Sequence, residues 1–322
     1  MSNLAPHTSN KHCFSEPVIF LAGPTASGKT ELAIAIAQQF NCEIVGVDSM
    51  QIYKYMDIGS AKPSKDELSQ VAHHLIDYVN PDEPYNASRF VSDCCHAIEC
   101  IRERDKIPLL VGGTGLYFQA LEFGIFSQPQ IDEAIRENLR NEVLERGSRD
   151  LHKELQRVDL QSAERIHEND SYRIVRALEI FRSTGKTWSE YIDEHKSAEG
   201  RIKRPKKLLK LGIDRNRDQL YERINQRVAT MIELGLVAEV NMLLGMGYAA
   251  TLSSMQSLGY RHILSFLNGE WSWEKTVELL ARDTRRYAKR QFTWFKKDTD
   301  VNWYYPDKRN ELFTKISKFL AI

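Results

Sequence analysis

The sequence has few cysteines and no long apolar run. Its five cysteines are an odd number and lack the C-x-x-C spacing of zinc ribbons, so neither a disulfide framework nor a structural zinc site is expected. A reducing, cytoplasmic compartment is the simplest prediction. Because no apolar run approaches the ~18 residues that cross a bilayer, no membrane partner is expected. Residues 1–17 mix polar residues with proline, and we predict a disordered tail there.

Net charge is also absent, because 44 Lys and Arg balance 44 Asp and Glu among the 322 residues. Such a balance counts against a nucleic-acid partner, since those proteins are commonly basic. The distribution along the chain is nevertheless uneven. Residues 130–170 contain 11 acidic against 7 basic side chains, whereas Arg201–Arg217 has eight basic side chains against the single acid Asp214. A second basic set, which we call the basic stripe, lies on one face of a predicted helix and consists of Arg282, Arg285, Arg286 and Lys289.

Short apolar runs that alternate with helical periodicity predict an α/β fold. Strands without polar alternation are typical of a parallel sheet with helices on both faces. Strand signals disappear between residues 130 and 200, where we predict an all-helical insertion domain, so the core comprises residues 18–129 and 201–322. The predicted strands are 18–22, 43–47, 107–111 and 208–214, and the predicted helices of the core are 31–40, 86–104, 217–234, 236–244, 256–267 and 273–289, with one more at the end.

The first predicted strand leads into the pattern G-x-x-x-x-G-K-[ST], and a predicted helix follows it. In this context the loop amides and the start of the helix form a cradle for phosphate. Lys29 would reach the terminal phosphate oxygens, and the Thr30 hydroxyl would bind Mg²⁺. The core is therefore expected to be P-loop NTPase-like and to bind a di- or triphosphate, which the pattern alone does not identify. The residues of the pattern are Gly23, Pro24, Thr25, Ala26, Ser27, Gly28, Lys29 and Thr30.

Two further turns follow predicted strands at the same edge of the sheet. Asp48 ends the second strand, where open parallel sheets place their ligands. Its carboxylate suits a general base or a magnesium ligand acting through water, and a helix N-cap is an equally good interpretation. Thr114, in the turn Gly112–Gly115, suits a contact with phosphate or a base, although a turn required by packing explains the pattern as well. His73 and His74 have no matching acid or cysteine spacing, so no metal site is expected there.

Aromatic, amide and basic residues interleave directly after the basic stripe, from Arg290 to Lys296. Such surfaces suit RNA, because phosphates bind the charges and unstacked bases stack on the rings. A solvated helix face is the plainer alternative, but the density of charge favours RNA.

Seven motifs along the chain occur together in one enzyme family. They are GPTASGKT (Gly23–Thr30), DSMQIYKYMDIGSAKP (Asp48–Pro63), HHLID (His73–Asp77), GGTGLYFQAL (Gly112–Leu121), RIVRALE (Arg173–Glu179), LGYR (Leu258–Arg261) and AKRQFTWFK (Ala288–Lys296). From about residue 18 to residue 300 the chain thus resembles the tRNA dimethylallyltransferases, also called isopentenyltransferases. Eukaryotic members carry a C-terminal zinc finger, whereas no cysteine follows Cys100, so the chain resembles the compact bacterial type.

The resemblance implies a prenyl transfer. Members move a dimethylallyl group from dimethylallyl diphosphate to the exocyclic N6 amine of the adenosine 3′-adjacent to the anticodon, and diphosphate is released. The P-loop would then hold an isoprenoid diphosphate with magnesium, and Asp48 would be the base that accepts the amine proton. Arg217 would meet the leaving diphosphate, and Thr114 would contact the target nucleotide or phosphate.

The resemblance also implies contacts with the tRNA anticodon stem-loop, by an enzyme expected to be a monomer. The target base must be extruded into a pocket, since it sits in a folded loop. The pocket would be lined by Asp48, Ser49, Met50 and Gln51. The insertion would contribute Arg136, Tyr172, Arg173, Ile174, Val175 and Arg176. The core would contribute Gln256, Ser257, Leu258, Gly259, Tyr260 and Arg261, and also Lys289, Arg290, Gln291, Phe292, Thr293, Trp294, Phe295 and Lys296.

Two other function classes fit the P-loop. The main alternative is an ATP-dependent P-loop small-molecule kinase, which would turn over nucleoside triphosphate without RNA. The other is a non-catalytic RNA-binding switch whose P-loop senses a nucleotide.

Overall fold

The computed structural model describes residues 15–124, 132–199 and 207–321. The chain divides into two compact units, one formed by Met1–Glu122 with Pro205–Ile322 and the other by Phe123–Arg204. Residues 1–14 of the predicted tail, and both predicted boundaries of the insertion at 129/130 and 200/201, lie outside the described residues.

A six-stranded sheet forms the centre of the first unit. All neighbouring strands in it are parallel. The predicted fold class, a parallel sheet between helices, is confirmed. In chain order the strands are β1 (Val18–Ala22), β2 (Cys42–Val47), β3 (His73–His74), β4 (Ile107–Gly112), β5 (Leu208–Ile213) and β6 (Asn302–Tyr304), and in the sheet their order is β3-β2-β4-β1-β5-β6.

Helices cover the sheet and build the second unit. One more turn of 3₁₀ helix, Pro306–Lys308, precedes the last of them. In chain order they are α1 (Lys29–Gln39), α2 (Lys65–Gln70), α3 (Ala87–Arg102), α4 (Gly115–Phe123), α5 (Glu133–Arg146), α6 (Ser148–Val158), α7 (Leu160–Arg165), α8 (Ser171–Thr184), α9 (Trp188–Glu199), α10 (Arg217–Glu233), α11 (Leu236–Gly245), α12 (Tyr260–Leu267), α13 (Trp273–Phe295) and α14 (Arg309–Leu320).

The two faces of the sheet pack into separate cores. Along β1, Val18 and Phe20 belong to a core shared with α3, α4, α11, α12 and α13, whereas Ile19 and Leu21 belong to one shared with α1 and α14. This division follows from strand geometry, because successive side chains point to opposite faces. Both faces are apolar, so the four long strands read as continuous apolar runs and were predicted correctly.

Several elements differ from the sequence-based expectation. The edge strands β3 and β6 were not predicted as strands, since they have only two and three residues, all half-buried. α12 begins four residues later than predicted because Gly259, with φ 97°, takes a left-handed conformation that interrupts the helix. α13 continues six residues beyond its predicted end, through the aromatic stretch to Phe295.

The second unit is helical throughout its described part, from α5 to α9. Its core is built from leucine, isoleucine and alanine side chains, including Leu139, Leu155 and Leu178. Asp159 ties two helices of this unit together, because its carboxylate accepts hydrogen bonds from the backbone N–H of Ser162 and of Ser189, each at 3.0 Å.

The length and hydropathy of the helices bear on whether any of them could span a membrane. Among the described residues no single helix is long and apolar enough to cross a membrane. The pair α10 and α11, bent by 53°, meets the length and composition criteria only together.

Candidate active site

The P-loop connects β1 to α1 at the carboxyl edge of the sheet. α1 begins after Gly28, whose φ of 96° is left-handed, and no side chain caps its first turn. The Nζ of Lys29 donates to the carbonyl of Pro24 at 2.7 Å. Burial, together with the neighbouring Arg227, lowers the pKa of Lys29 to about 7. The free first turn of a helix is a binding site for anions, so this loop has the form of a phosphate cradle.

Three arginines of the segment after β5 contact the same loop. Arg215 donates to the carbonyl of Ser27 at 3.3 and 3.4 Å, and Arg223 donates to the carbonyl of Ala26 at 2.9 Å. Arg227 donates to the Thr25 hydroxyl at 3.1 Å. In the described part of the chain none of them forms an ion pair with a carboxylate. The cradle therefore carries a surplus of positive charge, as a site for a diphosphate requires.

The contact of Arg217 with the leaving diphosphate stays a prediction. Arg217 is exposed in the first turn of α10, and its guanidinium lies 5.1 Å from the centre of the Tyr221 ring. Arg223 and Arg227, farther along the same helix, contact the P-loop. Their i, i+4 spacing puts them on one face of α10, and that spacing is visible in the sequence.

Asp48 follows β2 at the same edge of the sheet. Its Oδ1 accepts hydrogen bonds from the backbone N–H of Met50 at 2.9 Å and of Gln51 at 3.3 Å. No helix begins directly after Asp48, so the N-cap interpretation is wrong, and Oδ1 instead stabilises the turn that follows β2. Burial raises the pKa of Asp48, which the two amides, Lys29 and Arg227 oppose only in part. A desolvated carboxylate with a raised pKa is a better proton acceptor, so the base interpretation remains.

The turn Gly112–Gly115 is tied to both neighbours. The Thr114 hydroxyl accepts a hydrogen bond from the backbone N–H of Ser49 at 3.1 Å. The side chain of Gln291 accepts from the N–H of Thr25 at 2.8 Å and donates to the carbonyl of Gly113 at 2.9 Å. A Cβ on Gly113 would lie 2.1 Å from Gln291, so packing requires glycine there. The P-loop, the Asp48 turn and the Thr114 turn are thereby held as one unit.

Tyr287 was not among the predicted site residues, and it joins this site. Its hydroxyl interacts with the side chains of Gln291 and Thr114, and burial, then the charge of Asp48, raises its pKa. The helical spacing of α13 places Tyr287 one turn before Gln291, which is the signal that could have assigned it to the site.

Comparison with known proteins identifies the family. The family model described as IPP transferase matches residues 51–298, and the one described as isopentenyl transferase matches residues 17–80. A tRNA dimethylallyltransferase of Desulfotalea psychrophila is 48% identical over 95% of this chain and 96% of its own length. The chain belongs to the IPP transferase family.

Solved structures of family members have the same fold. The full-length tRNA isopentenylpyrophosphate transferase of Bacillus halodurans is 36% identical, with a TM-score of 0.70, over 95% of this chain and 97% of its own. A eukaryotic dimethylallyltransferase acting on tRNA is 30% identical, with a TM-score of 0.74. That comparison covers 90% of this chain and 74% of the eukaryotic one.

In this IPP transferase, the predicted RNA contacts at 256–261 divide into exposed and buried residues. Gln256 and Arg261 are exposed, Ser257 and Leu258 are half-buried, and Gly259 forms the turn before α12. Tyr260 is fully buried and its hydroxyl donates to Glu239, so its predicted contact with tRNA is wrong. The motif gave the residue types, but the helix turns Tyr260 inward.

The contacts predicted at 289–296 also divide. Lys289, Arg290, Thr293 and Trp294 are exposed, and Phe292 is half-buried. Lys296 is paired with Asp214 at 3.2 Å and lies 4.2 Å from the centre of the Trp303 ring. Gln291 and Phe295 are each 5% exposed. Gln291 connects the P-loop to the Thr114 turn, and Phe295 packs against Phe118. Neither is available to RNA as predicted.

The basic stripe is partly neutralised by its own helix. Asp283 accepts from Arg282 at 3.0 Å and from Arg286 at 3.5 Å. Arg285 donates to the Asn225 side chain at 2.6 Å. The side chains of Arg282 and Arg286 are 40% and 62% exposed, so they remain accessible to a polyanion.

The predicted RNA contacts of the insertion lie on α5 and α8. Tyr172 is 80% exposed and Arg173 is paired with Asp170. Ile174 is fully buried in the core of the second unit, which contradicts its predicted RNA contact, and Val175 packs beside that core. Arg136 and Arg176 both pair with the carboxylate of Glu179, which is 2% exposed.

The donor set at the cradle fits magnesium. Thr30 is half-buried in the first turn of α1, and the Ser27 hydroxyl is buried without a hydrogen-bond partner in the described part of the chain. Both are oxygen donors, which Mg²⁺ prefers. Among the described residues no group of three or more His, Cys, Asp and Glu side chains could hold a metal ion. A metal at this edge would thus need the oxygens of a bound diphosphate.

Proposed function

We propose that the protein is a tRNA dimethylallyltransferase. It would transfer the dimethylallyl group of dimethylallyl diphosphate to the N6 amine of the adenosine 3′-adjacent to the anticodon. Membership of the family supports the reaction class. The observation that carries the proposal is the juxtaposition of two features at one sheet edge. Three arginines contact the P-loop, and Asp48 accepts hydrogen bonds from two backbone amides, and none of the four side chains has an ion pair among the described residues.

The diphosphate would lie against the P-loop amides, Lys29, Arg223 and Arg227. As the bond from carbon to the diphosphate oxygen breaks, negative charge develops on the leaving group, and these groups stabilise it. Magnesium bound at Thr30 would supply further charge neutralisation. Each of these groups is already held by P-loop contacts, so little reorganisation is needed when the charge develops.

The nucleophile needs a proton acceptor. The N6 amine of adenine is weakly nucleophilic because its lone pair is delocalised into the ring. As nitrogen forms the new bond to carbon, it loses a proton, and Asp48 would accept it. The Thr114 hydroxyl, which accepts from the N–H of Ser49 next to Asp48, and the Tyr287 hydroxyl, which interacts with Thr114, would orient the target nucleotide.

The RNA would be bound by exposed residues of both units. In the core, these are Arg261, Arg282, Arg286 and the exposed residues of 289–296. In the insertion, Tyr172 would stack on an unpaired base and the neighbouring arginines would contact phosphates. A monomer with one tRNA is part of the same proposal, and gel filtration with and without tRNA measures it.

Nucleoside analysis tests the function. The protein is incubated with unmodified tRNA and dimethylallyl diphosphate, and the tRNA is digested to nucleosides for mass analysis. We expect one five-carbon unit on one adenosine per tRNA and no consumption of ATP. Unmodified tRNA together with ATP turnover would instead support the kinase alternative, which family membership does not favour.

A further inference from the structure

Glu239 is a buried carboxylate outside the site described above. It lies on α11 and is 7% exposed. Its Oε2 accepts hydrogen bonds from the backbone N–H of Asp57 at 3.0 Å and of Ile58 at 2.7 Å. Its Oε1 accepts from the N–H of Gly59 at 3.0 Å and from the Tyr260 hydroxyl at 2.7 Å. Three successive backbone amides and a hydroxyl thus satisfy the buried carboxylate of Glu239. An apolar side chain could fill the same space, so packing alone does not explain a carboxylate here.

The backbone that Glu239 holds is connected to the turn of Asp48. The side-chain amide of Gln51 donates to the carbonyls of Ser60 at 3.3 Å and Ala61 at 3.1 Å. The backbone N–H of Gln51 in turn donates to the Asp48 carboxylate. Glu239 is therefore connected to the base in three steps. It binds the backbone of residues 57–59, the same backbone segment binds Gln51 at residues 60 and 61, and Gln51 binds the Asp48 carboxylate.

Backbone strain occurs in this segment and beside it. Ala61 within the segment, Tyr55 before it and Asp77, which shares the Lys62 ammonium with Asp57, have φ values of 51°, 66° and 57°, the left-handed region that residues other than glycine seldom adopt. Such conformations persist only where the surroundings fix them. Lys62 supplies part of the restraint, because its Nζ donates to the carbonyl of Tyr53 and to the carboxylates of Asp57 and Asp77.

The ring of Tyr260 closes the other side of the segment. A Cβ on Gly59 would lie 2.5 Å from that ring, so the two fit only because residue 59 is glycine. Tyr260 itself is fully buried. Glu239 and Tyr260 together fix the position of residues 57–59 from two directions.

We propose that Glu239 is a positioning residue for the prenyl transfer. By fixing residues 57–61 it holds Gln51, and with it the turn of Asp48, where the extruded adenosine must be placed. This role rests on the proposed function. It affects placement of the nucleotide and leaves the diphosphate cradle alone, because Glu239 contacts no P-loop residue among those described.

The test is the variant Glu239→Gln, with a matched control. The amide would place N–H donors against backbone N–H donors, and the segment would shift. We expect kcat for transfer to tRNA to fall about ten-fold or more, with the Kd of dimethylallyl diphosphate within two-fold of the parent. Leu243→Ala on the same helix removes only core packing. It should lower Tm comparably and leave kcat unchanged at a temperature where it is folded.

A second variant covers the case in which Glu239→Gln does not fold. Gly59→Ala displaces the same segment from the side of Tyr260, and it should give the same fall in kcat with unchanged diphosphate binding. If either folded variant keeps kcat within two-fold of the parent, the positioning role is overturned. If kcat falls only as much as in Leu243→Ala, the role is also overturned. An inactive parent protein would instead overturn the proposed function.

Discussion

β2 carries a carboxylate near each of its ends, and the two have opposite surroundings. Glu43, near the amino end, is 3% exposed and interacts with Arg104 at 2.6 Å, His74 at 2.7 Å and Lys106 at 3.1 Å. Its hydrogen bond with Arg104, above all, lowers its pKa to about 2. Asp48, beyond the carboxyl end, has two backbone amides and no ion pair among the described residues, and burial raises its pKa.

This difference assigns the two carboxylates of β2 to different tasks, Glu43 to stabilising the fold and Asp48 to the reaction. At the amino end the Glu43 carboxylate is fully engaged by two cations and a histidine, so its removal should cost stability. At the carboxyl end the cations contact P-loop carbonyls and a hydroxyl, and the carboxylate is kept apart from them. Charges left without partners in the protein are available to an anionic substrate and to a proton.

The largest effect is expected for Asp48→Asn. The amide keeps the turn but cannot accept a proton, so the rate of transfer should fall by about 10²–10⁴-fold. Binding of tRNA and of dimethylallyl diphosphate should stay within a few-fold of the parent, as measured by filter binding and calorimetry. Turnover near that of the parent would remove Asp48 from the mechanism.

Glu43→Gln should lower the stability of the fold and leave the rate of transfer unchanged. With its folded pKa near 2 against the ordinary 4.5, Glu43 contributes up to about 3 kcal/mol to the free energy of unfolding. That contribution is complete above pH 4.5 and is lost as the pH falls towards 2. Urea unfolding at pH 7 and pH 3 should therefore show a difference between parent and variant that shrinks at low pH. A fall in kcat with unchanged stability would contradict the comparison.

The arginines of α10 test the surplus of charge at the carboxyl end. Arg227→Gln removes a cation from the cradle, and the Kd of dimethylallyl diphosphate should rise about 10-fold, as for a lost hydrogen bond to a charged group. Arg217→Gln tests the predicted contact of Arg217 with the diphosphate in the same way, and an unchanged Kd in that variant would contradict the prediction. An unchanged Kd in Arg227→Gln would remove Arg227 from the cradle.

The smallest effect is expected at the basic stripe. The double substitution Arg282→Glu with Arg286→Glu should weaken tRNA binding. It should also reduce the slope of log K against log salt concentration by about one to two. Lys315→Glu with Lys318→Glu, on exposed positions of α14, makes the same change of charge on another surface. Equal slopes in both variants would show that the stripe is only a solvated helix face.

Sequence patterns were sufficient where the cause is local. The apolar runs of β1, β2, β4 and β5 and the P-loop spacing are determined by neighbouring residues, so both were predicted. Motifs were insufficient where tertiary packing decides. They named Tyr260 and Gln291 as RNA contacts, but α12 and α13 turn these side chains inward, to Glu239 and to the P-loop.

Other features needed contacts that are distant in the sequence. Glu239 meets residues 57–59 across about 180 positions, and no local pattern indicates it. Arg223 and Arg227 could have been added to the predicted diphosphate contacts from their i, i+4 spacing beside the buried positions Leu220 and Ile224. A segment rich in arginine does not by itself tell which of them face the ligand.

The pH dependence of a single turnover tests the central claim most directly. Enzyme loaded with dimethylallyl diphosphate is mixed with tRNA, and the rate of transfer is followed as the pH is lowered. The account predicts that the rate of the parent falls with an apparent pKa above 3.8, the ordinary value for aspartate, and that Asp48→Asn is slow and lacks this dependence. The same pH profile in both proteins would contradict the assignment of Asp48 as the base.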